Sequence, residues 1–340
     1  MSTPSQPEVN RKGTDEPETA TDSSIVRSEI WFHDGNIVLQ AGRTQFKIYQ
    51  GLLSANSTVF ADMFSIPQPP LSGGDLVEGC AVIHLSDSAV DVTYVLEALC
   101  KRSHVTIDEP VSISVVAAFV RLGQKYQIDA VLSEALKRLY NEFPVELKNL
   151  DDKRYDWDKI SYSKGINIDV ANLAREQNLL SVLPYALHLC CYVRSDVTMQ
   201  GVQRKDNTIA KLAPINERAV LAASHSILLL QSSTTFSWLT ADGSDECDTH
   251  QDCNNGRNQI LRNSFFPLPL YTCLVTWARE WEDNMCGACA LKAQDRHAVG
   301  RQKYWDELPS TFGLPDWEEL KKESVLPNIL RLSTNTVHQV

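Results

Sequence analysis

Apolar and polar residues alternate most clearly in DGNIVLQAG, Asp34 to Gly42. Ile37 and Leu39 fall on one face and Val38 and Gln40 on the other, the period of two of a half-buried strand. Asp34-Gly35 and Ala41-Gly42 put turn chemistry on either side of it. Phe46 and Ile48 close a further strand. The period then changes. Leu52, Leu53, Val59, Phe60, Met63 and Phe64 recur at three- and four-residue intervals, interrupted by Ser54, Asn56, Ser57 and Thr58. That pattern predicts two short helices joined at a polar corner. Val82, Ile83 and Leu85 predict one more strand. Ser88, with Asp91 three residues on, caps a helix whose stripe is Val92, Val95, Leu96 and Leu99. Val105 to Ile107 reads as a short strand stopped by Pro110. Ile113 to Leu122 is apolar nearly all round and predicts an interior helix. Ile128, Val131, Leu132, Ala135, Leu136, Leu139 and Tyr140 keep helical spacing until Phe143-Pro144 ends it.

Val145 to Lys164 turns polar and charged, which places a domain boundary there. Beyond it Asp169 to Leu180, Pro184 to Tyr192 and Asn216 to Leu230 read as helices, with few strand signals. At the other end, Met1 to Ser24 is rich in Ser, Thr, Pro, Asp and Glu and is expected to be disordered. It has too little apolar surface to offset the entropy of ordering. The expected organisation is a disordered tail (1–25), an α/β domain (26–145), a linker (146–165) and a mostly α-helical domain (166–340).

The N-terminal pattern resembles a known family. The order strand–strand–strand–helix–helix–strand–helix, carrying F-x-x-x-x-x-L-L-S-A-x-S-x-x-F-x-x-M-F over Phe46 to Phe64, resembles a BTB/POZ domain. That resemblance implies a small sheet packed on a helical bundle. DGNIVLQ, VEGCAVIHLSDS and FVRLGQKYQI are most similar to the large BTB-containing family of mushroom-type fungi. VANLAREQNLLSVLPYALHLCC and FGLPDWEELKKE continue the likeness into the second half. BTB domains usually carry a His-Lys or His-Arg pair before the Leu-Leu-Ser segment; here it is Tyr49-Gln50.

Size and charge narrow the classes. The chain has 340 residues, enough for two domains, with 43% hydrophobic and 22% charged residues. A formal net charge of -11 and the lack of a basic stripe argue against nucleic acid. The longest apolar runs, Leu179 to Val193 and Ala219 to Leu230, are shorter than the roughly 20 residues of a membrane span and read as buried helices. No apolar signal segment opens the sequence. The expected location is the cytoplasm or nucleus, where the nine cysteines stay reduced or bind metal.

Four of those cysteines have metal-ligand character. Cys247 and Cys253 lie in a polar stretch, CDTHQDC, and Cys286 and Cys289 form a C-x-x-C. Between the pairs, Leu270, Cys273, Leu274, Trp277, Ala278 and Trp281 trace the apolar face of an expected helix. Two loop-borne thiol pairs around such a helix fit a structural zinc site, with a polar loop stitched to the helix C-terminus. His250 and His297 are alternative ligands. The competing reading is four unremarkable thiols on a loop; a redox C-x-x-C lacks the strand-to-helix context. Cys100, Cys190, Cys191 and Cys273 sit among apolar residues and read as core thiols.

No catalytic residues are predicted. The sequence lacks G-x-G-x-x-G, Walker-type, H-E-x-x-H and G-x-S-x-G motifs. Ser224-His225-Ser226 falls in an apolar helical run and reads as a helix burying a satisfied histidine. Asp151-Asp152 and Glu318-Glu319 are sequence neighbours, about 100° apart on a helix, and do not converge on a substrate. Asp316 reads as a helix N-cap with Glu319 at the third position.

The resemblance implies function through interaction. BTB domains commonly form homodimers through the first strand and first helix, here Ile30 to Phe32 and Gln50 to Ala55. Ile30, Trp31, Phe32, Leu52 and Leu53 are then the expected interface residues. Many BTB proteins are substrate adaptors of cullin-type ubiquitin ligases, which would make the helical half the client-recruiting part. An apolar-x-Glu element often serves the cullin contact, and Leu76-Val77-Glu78 is the local match, displaced by the IPQPPLSGGD insertion. The alternative is a non-ligase scaffold or transcriptional co-regulator that uses the domain only to oligomerise.

Overall fold

The computed structural model describes residues 24–66, 76–106, 109–153, 157–192, 200–266 and 271–324. The expected tail up to residue 23, Ile107, Leu270 and all but the first residue of the IPQPPLSGGD insertion lie outside them. The protein is mixed α/β: an N-terminal mixed five-stranded sheet with helices, followed by a largely helical region. The chain divides into two compact units, one of residues 1–50 and 70–89, the other of 51–69 and 90–340.

The first unit is the sheet. Its strands are β1 (Val26–Trp31), β2 (Ile37–Ala41), β3 (Thr44–Ile48), β4 (Leu76–Val77) and β5 (Cys80–Leu85), in the order β1-β3-β2-β5-β4. β2 lies at the centre, antiparallel to β3 and parallel to β5, with Leu39 opposite both Phe46 and Ile83. Central placement corrects the half-buried reading of β2: Ile37, Val38, Leu39 and Ala41 are all buried. The two-residue turn Gly42-Arg43 joins β2 to β3, and Gly42 has φ 55°, which suits a residue without a β-carbon. Lys47 is buried on β3 and reaches Glu78 at 3.0 Å and the His33 carbonyl at 2.9 Å. Arg27 meets the same Glu78 at 2.8 Å. The Lys47 ammonium, ahead of Arg27, holds the Glu78 carboxyl below its usual range, against a smaller desolvation effect.

The expected interface residues are placed differently from one another. Ile30 is buried inside this chain, whereas Trp31 is half-buried with the Arg27 guanidinium 4.5 Å from its ring. Phe32 is half-buried against Tyr49, ring centres 5.0 Å apart. Leu53 is buried and its neighbour Leu52 half-buried.

The helices make up the rest. The predicted polar corner separates α1 (Gln50–Asn56) from α2 (Thr58–Ser65). Ser57 is the cap between them: its hydroxyl accepts from Phe60 N at 3.0 Å and donates to the Tyr126 carbonyl at 2.5 Å. α3 (Ala89–Lys101) buries Val92, Val95 and Leu96 of its expected stripe, while Leu99 is half-buried. α4 (Ile113–Tyr126) is interior, with Val115 to Val120 buried in an unbroken run. α5 (Asp129–Glu142) crosses it at Gly123, where a β-carbon would sit 2.8 Å from that of Leu132.

The polar stretch between the two halves is well anchored. It contains α6 (Leu147–Asp151), and the fully buried Ile160 forms an isolated parallel bridge with Val111. Arg138, 1% exposed, donates to the carbonyls of Thr106, Glu109 and Lys159 and pairs with Glu134. Val105 and Thr106 do not form the expected strand. The Thr106 carbonyl is bonded to a side chain, and the extended partner is Val111 instead.

Beyond it come α7 (Ile166–Glu176), α8 (Leu183–Cys191), a short hairpin of β6 (Val202–Gln203) and β7 (Ile209–Ala210), and α9 (Pro214–Ser233). α10 (His250–Phe265), α11 (Gly287–Thr311) and α12 (Trp317–Ser324) follow. Arg121 on α4 grips Glu176 on α7 with two bonds of 2.9 Å. α9 corrects the expectation of a fully buried helix. Val220, Ala223 and Ile227 face inward, while Leu221 and Leu229 are 40% and 57% exposed. His225 lies on that outer face, so it is an exposed residue and not a buried one. Asp316 does cap α12, accepting from Glu319 N at 2.9 Å. Among the described residues no helix is long and apolar enough to cross a membrane.

Candidate metal centre

Two helix starts and one loop bring the four cysteines together. Cys247 sits in the loop before α10, where its amide donates to the Ser244 carbonyl at 3.2 Å. Cys253 follows in the first turns of α10, its amide bonded to the Thr249 carbonyl at 3.0 Å. Cys286 is the N-cap of α11 and Cys289 lies one turn in. The C-x-x-C spacing therefore straddles a helix N-terminus, whose partial positive charge favours thiolates.

The sulfurs form a compact set. All four lie within 4.8 Å of one another, with Cys247 Sγ 3.7 Å from Cys253 Sγ and 3.8 Å from Cys286 Sγ. A disulfide needs about 2.05 Å, so these are free thiols. Four sulfurs each about 2.3 Å from a zinc ion stand about 3.8 Å apart at the corners of a regular tetrahedron. The two separations from Cys247, 3.7 and 3.8 Å, match that edge. Cys247, Cys253 and Cys289 are buried and Cys286 is half-buried, with Met285 packed against them.

Two of the sulfurs accept backbone amides. Cys286 N donates to Cys253 Sγ at 3.2 Å, and Ser244 N donates to Cys289 Sγ at 3.3 Å. The Thr249 hydroxyl lies 3.4 Å from Cys253 Sγ. At Cys253 burial pushes the thiol up, but the Cys286 amide, the Thr249 hydroxyl and neighbouring thiols outweigh it and bring it to about 7. Burial, with adjacent thiols adding to it, pushes Cys247 up to about 12. Burial also raises Cys289. A metal must therefore displace protons from this cluster, as soft thiolate sites require. An ion held by all four would have a filled tetrahedral shell with no open position, the arrangement of structural sites.

Several neighbours keep the pieces in register. Lys292 on α11 donates to the Gly243 carbonyl at 2.9 Å and Arg296 to the Asp242 carbonyl at 3.0 Å, tying the Cys247 loop to that helix. Gly256, one turn beyond Cys253, meets the backbone ahead of Cys286: a β-carbon there would lie 1.9 Å from the Asn284 carbonyl oxygen. Sequence reasoning did not single out Gly256, Ser244 or the two basic tethers. The one available signal was Gly256 at helical spacing from Cys253.

The structure revises how the cysteines were expected to be carried. Cys253 and Cys289 are on helices rather than loops, and the clasp joins helix N-termini rather than a helix C-terminus. Tyr271 to Ala278 is not helical, and Arg279–Asn284 is a single 3-10 segment. The reason lies in its carbonyls. Thr235 donates to the Cys273 carbonyl, Arg301 to Leu274 and His297 faces Val275, at 2.6, 2.9 and 2.9 Å. Side chains from neighbouring elements occupy the acceptors that helical amides would use. The aromatic residues still pack, with Trp238, Trp277, Trp281 and Phe236 around His297.

His297 is no ligand here. Its Nε2 faces the Val275 carbonyl and its Nδ1 accepts from Trp238 Nε1 at 3.3 Å. Burial, chiefly, pushes it down to about 4. His250 is exposed at the start of α10. Among the described residues the four cysteines are the one group of three or more His, Cys, Asp or Glu side chains gathered closely enough to hold a metal. Of the other expected core thiols, Cys190, Cys191 and Cys273 are buried, whereas Cys100 is only half-buried.

No protein-family model matches this chain, and no characterised protein matches it significantly.

Proposed function

We propose that the chain is a non-enzymatic protein–protein interaction protein whose helical half is clasped by a structural zinc ion at Cys247, Cys253, Cys286 and Cys289. The N-terminal part is read as a BTB/POZ module that self-associates, and the helical half as the part that recruits client proteins. The observation that carries the clasp is the gathering of four cysteine sulfurs within 4.8 Å of one another, two of them accepting backbone amides. The module reading is supported by element order. Three strands precede a Ser57-capped pair of short helices, and strands and a helix follow. Of the expected self-association residues, Trp31, Phe32 and Leu52 are half-buried, while Ile30 and Leu53 are each buried within the chain.

Within this reading a cullin-type ubiquitin ligase adaptor and a plain scaffold or co-regulator compete. One observation favours the scaffold: Glu78, the acidic residue of the Leu76-Val77-Glu78 element, is already paired with Lys47 and Arg27. Affinity purification of the tagged chain, followed by mass spectrometry, separates the two. A cullin recovered near stoichiometry makes it an adaptor. Self-association with other proteins and no cullin makes it a scaffold. A monomeric chain that recovers neither itself nor a partner overturns the interaction reading.

A further inference from the structure

Arg257 is a buried cation whose position on α10 needs a reason. It is 7% exposed, and the polar contact it makes is to the Asn254 side-chain carbonyl, a neutral group. Among the described residues no carboxylate forms an ion pair with it. Removing a guanidinium from water without a counter-charge is costly, so buried arginines normally face an anion.

The available anion is sulfur. Arg257 stands four residues after Cys253, hence on the same face of α10 and one turn along. It also stands across Gly243 from Cys289: a β-carbon on Gly243 would lie 3.0 Å from Cys289 Sγ, 3.4 Å from Arg257 Nη1 and 3.8 Å from Nη2. Cys289 thus has the guanidinium close by across Gly243, and Cys253 lies one turn back on the helix that carries it. A divalent ion held by four thiolates carries a net charge of minus two. Placed among buried residues, such a centre calls for nearby positive charge.

We propose that Arg257 is the built-in counter-charge of the four-thiolate centre, a positioning residue that raises its affinity for a divalent thiophilic ion such as zinc. The proposal rests on the metal reading above. Arg257 touches no metal; it lowers the cost of keeping all four sulfurs ionised together. Gly243 is the spacer that lets the guanidinium approach, since a side chain there would press on Cys289 Sγ.

The test is zinc affinity of the full chain, by competition with a chromogenic chelator, for wild type, R257Q and R257K. Cobalt(II) substitution supplies a second readout through its sulfur-to-cobalt charge-transfer band. The expected result is zinc binding by R257Q weakened about 10- to 100-fold, in the range of outer-shell substitutions at metal sites. R257K, which keeps the charge, should recover most of that loss, and both variants should keep the four-sulfur cobalt spectrum. Wild-type affinity in R257Q would overturn the proposal while leaving the metal site standing. So would R257K as weak as R257Q, or loss of fold in both, since either makes Arg257 a packing residue. A wild-type chain that takes up no zinc or cobalt would sink the metal reading and this proposal with it.

Discussion

Replacing Gly256 with alanine tests whether the clasp is held by the close approach of α10 to the segment before Cys286. In a helix interior alanine is favoured over glycine by about 1 kcal/mol, so propensity alone predicts stabilisation. Sterics predict the reverse. The new β-carbon would lie 1.9 Å from the Asn284 carbonyl oxygen and 2.8 Å from the Asn284 carbonyl and β-carbons. The partners must separate by about 1.5 Å to reach ordinary contact at 3.4 Å, and overpacking of this kind costs about 1–3 kcal/mol or more. The same shift acts on the metal centre, because Cys253 and Cys286 sit three residues before and two after the clash. Their N–H···S bond of 3.2 Å would open, and metal–ligand distances tolerate only about 0.2 Å. G256A should therefore bind zinc at least about 10-fold more weakly, equivalent to about 1.4 kcal/mol, and melt below wild type. Chelator competition and thermal unfolding with and without zinc measure both effects. G287A is the control, since nothing lies within 4 Å of a β-carbon at that first position of α11. A G256A protein with wild-type zinc affinity and a raised melting temperature would refute the reasoning.

Other consequences can be checked on the same protein. Purified chain should contain one zinc per molecule by metal analysis; stripping it with a chelator should lower the melting temperature, and C289S should do the same without chelator. An ion present at a thousand times its Kd would account for about 4 kcal/mol. Stability should also fall below pH 6.5, because burial pushes His188 down to about 3 and, as its main cause, His297 to about 4. The unfolded chain takes up protons from pH 6.5 downward that the native chain refuses until those lower values. Each histidine thus removes up to about 1.4 kcal/mol per pH unit, full stability being kept above pH 6.5. Denaturant titrations in chelator from pH 7 to 5 would show this, and a flat profile would count against both burials. Finally, L53D places an unpaired charge at a 1% exposed position and should cost about 4 kcal/mol or more, leaving the chain insoluble. A soluble, folded L53D protein would contradict the placement of Leu53.

Local periodicity was enough to locate much of this protein. The strand over Ile37–Ala41, the paired helices around Ser57, the interior helix from Ile113 and the Asp316 cap all follow from spacing and capping chemistry, which depend on near neighbours. The identity of the four thiols was also legible, because ligand type and count are written in the residues themselves. Tertiary structure decided what depends on distant partners. Ile37, Val38 and Leu39 are all buried because β2 is a central strand, and no local pattern encodes a strand's place in a sheet. Tyr271 to Ala278 has the apolar spacing of a helix but is not one, since Thr235, His297 and Arg301 occupy its carbonyls. His225 points outward because α9 turns Val220, Ala223 and Ile227 inward, a choice of face among several apolar ones. Whether Cys247 and Cys253 meet Cys286 and Cys289 rests on two helix starts, a glycine contact and a loop held by Lys292 and Arg296. Those contacts join residues far apart in the sequence, and only the folded chain brings them into range.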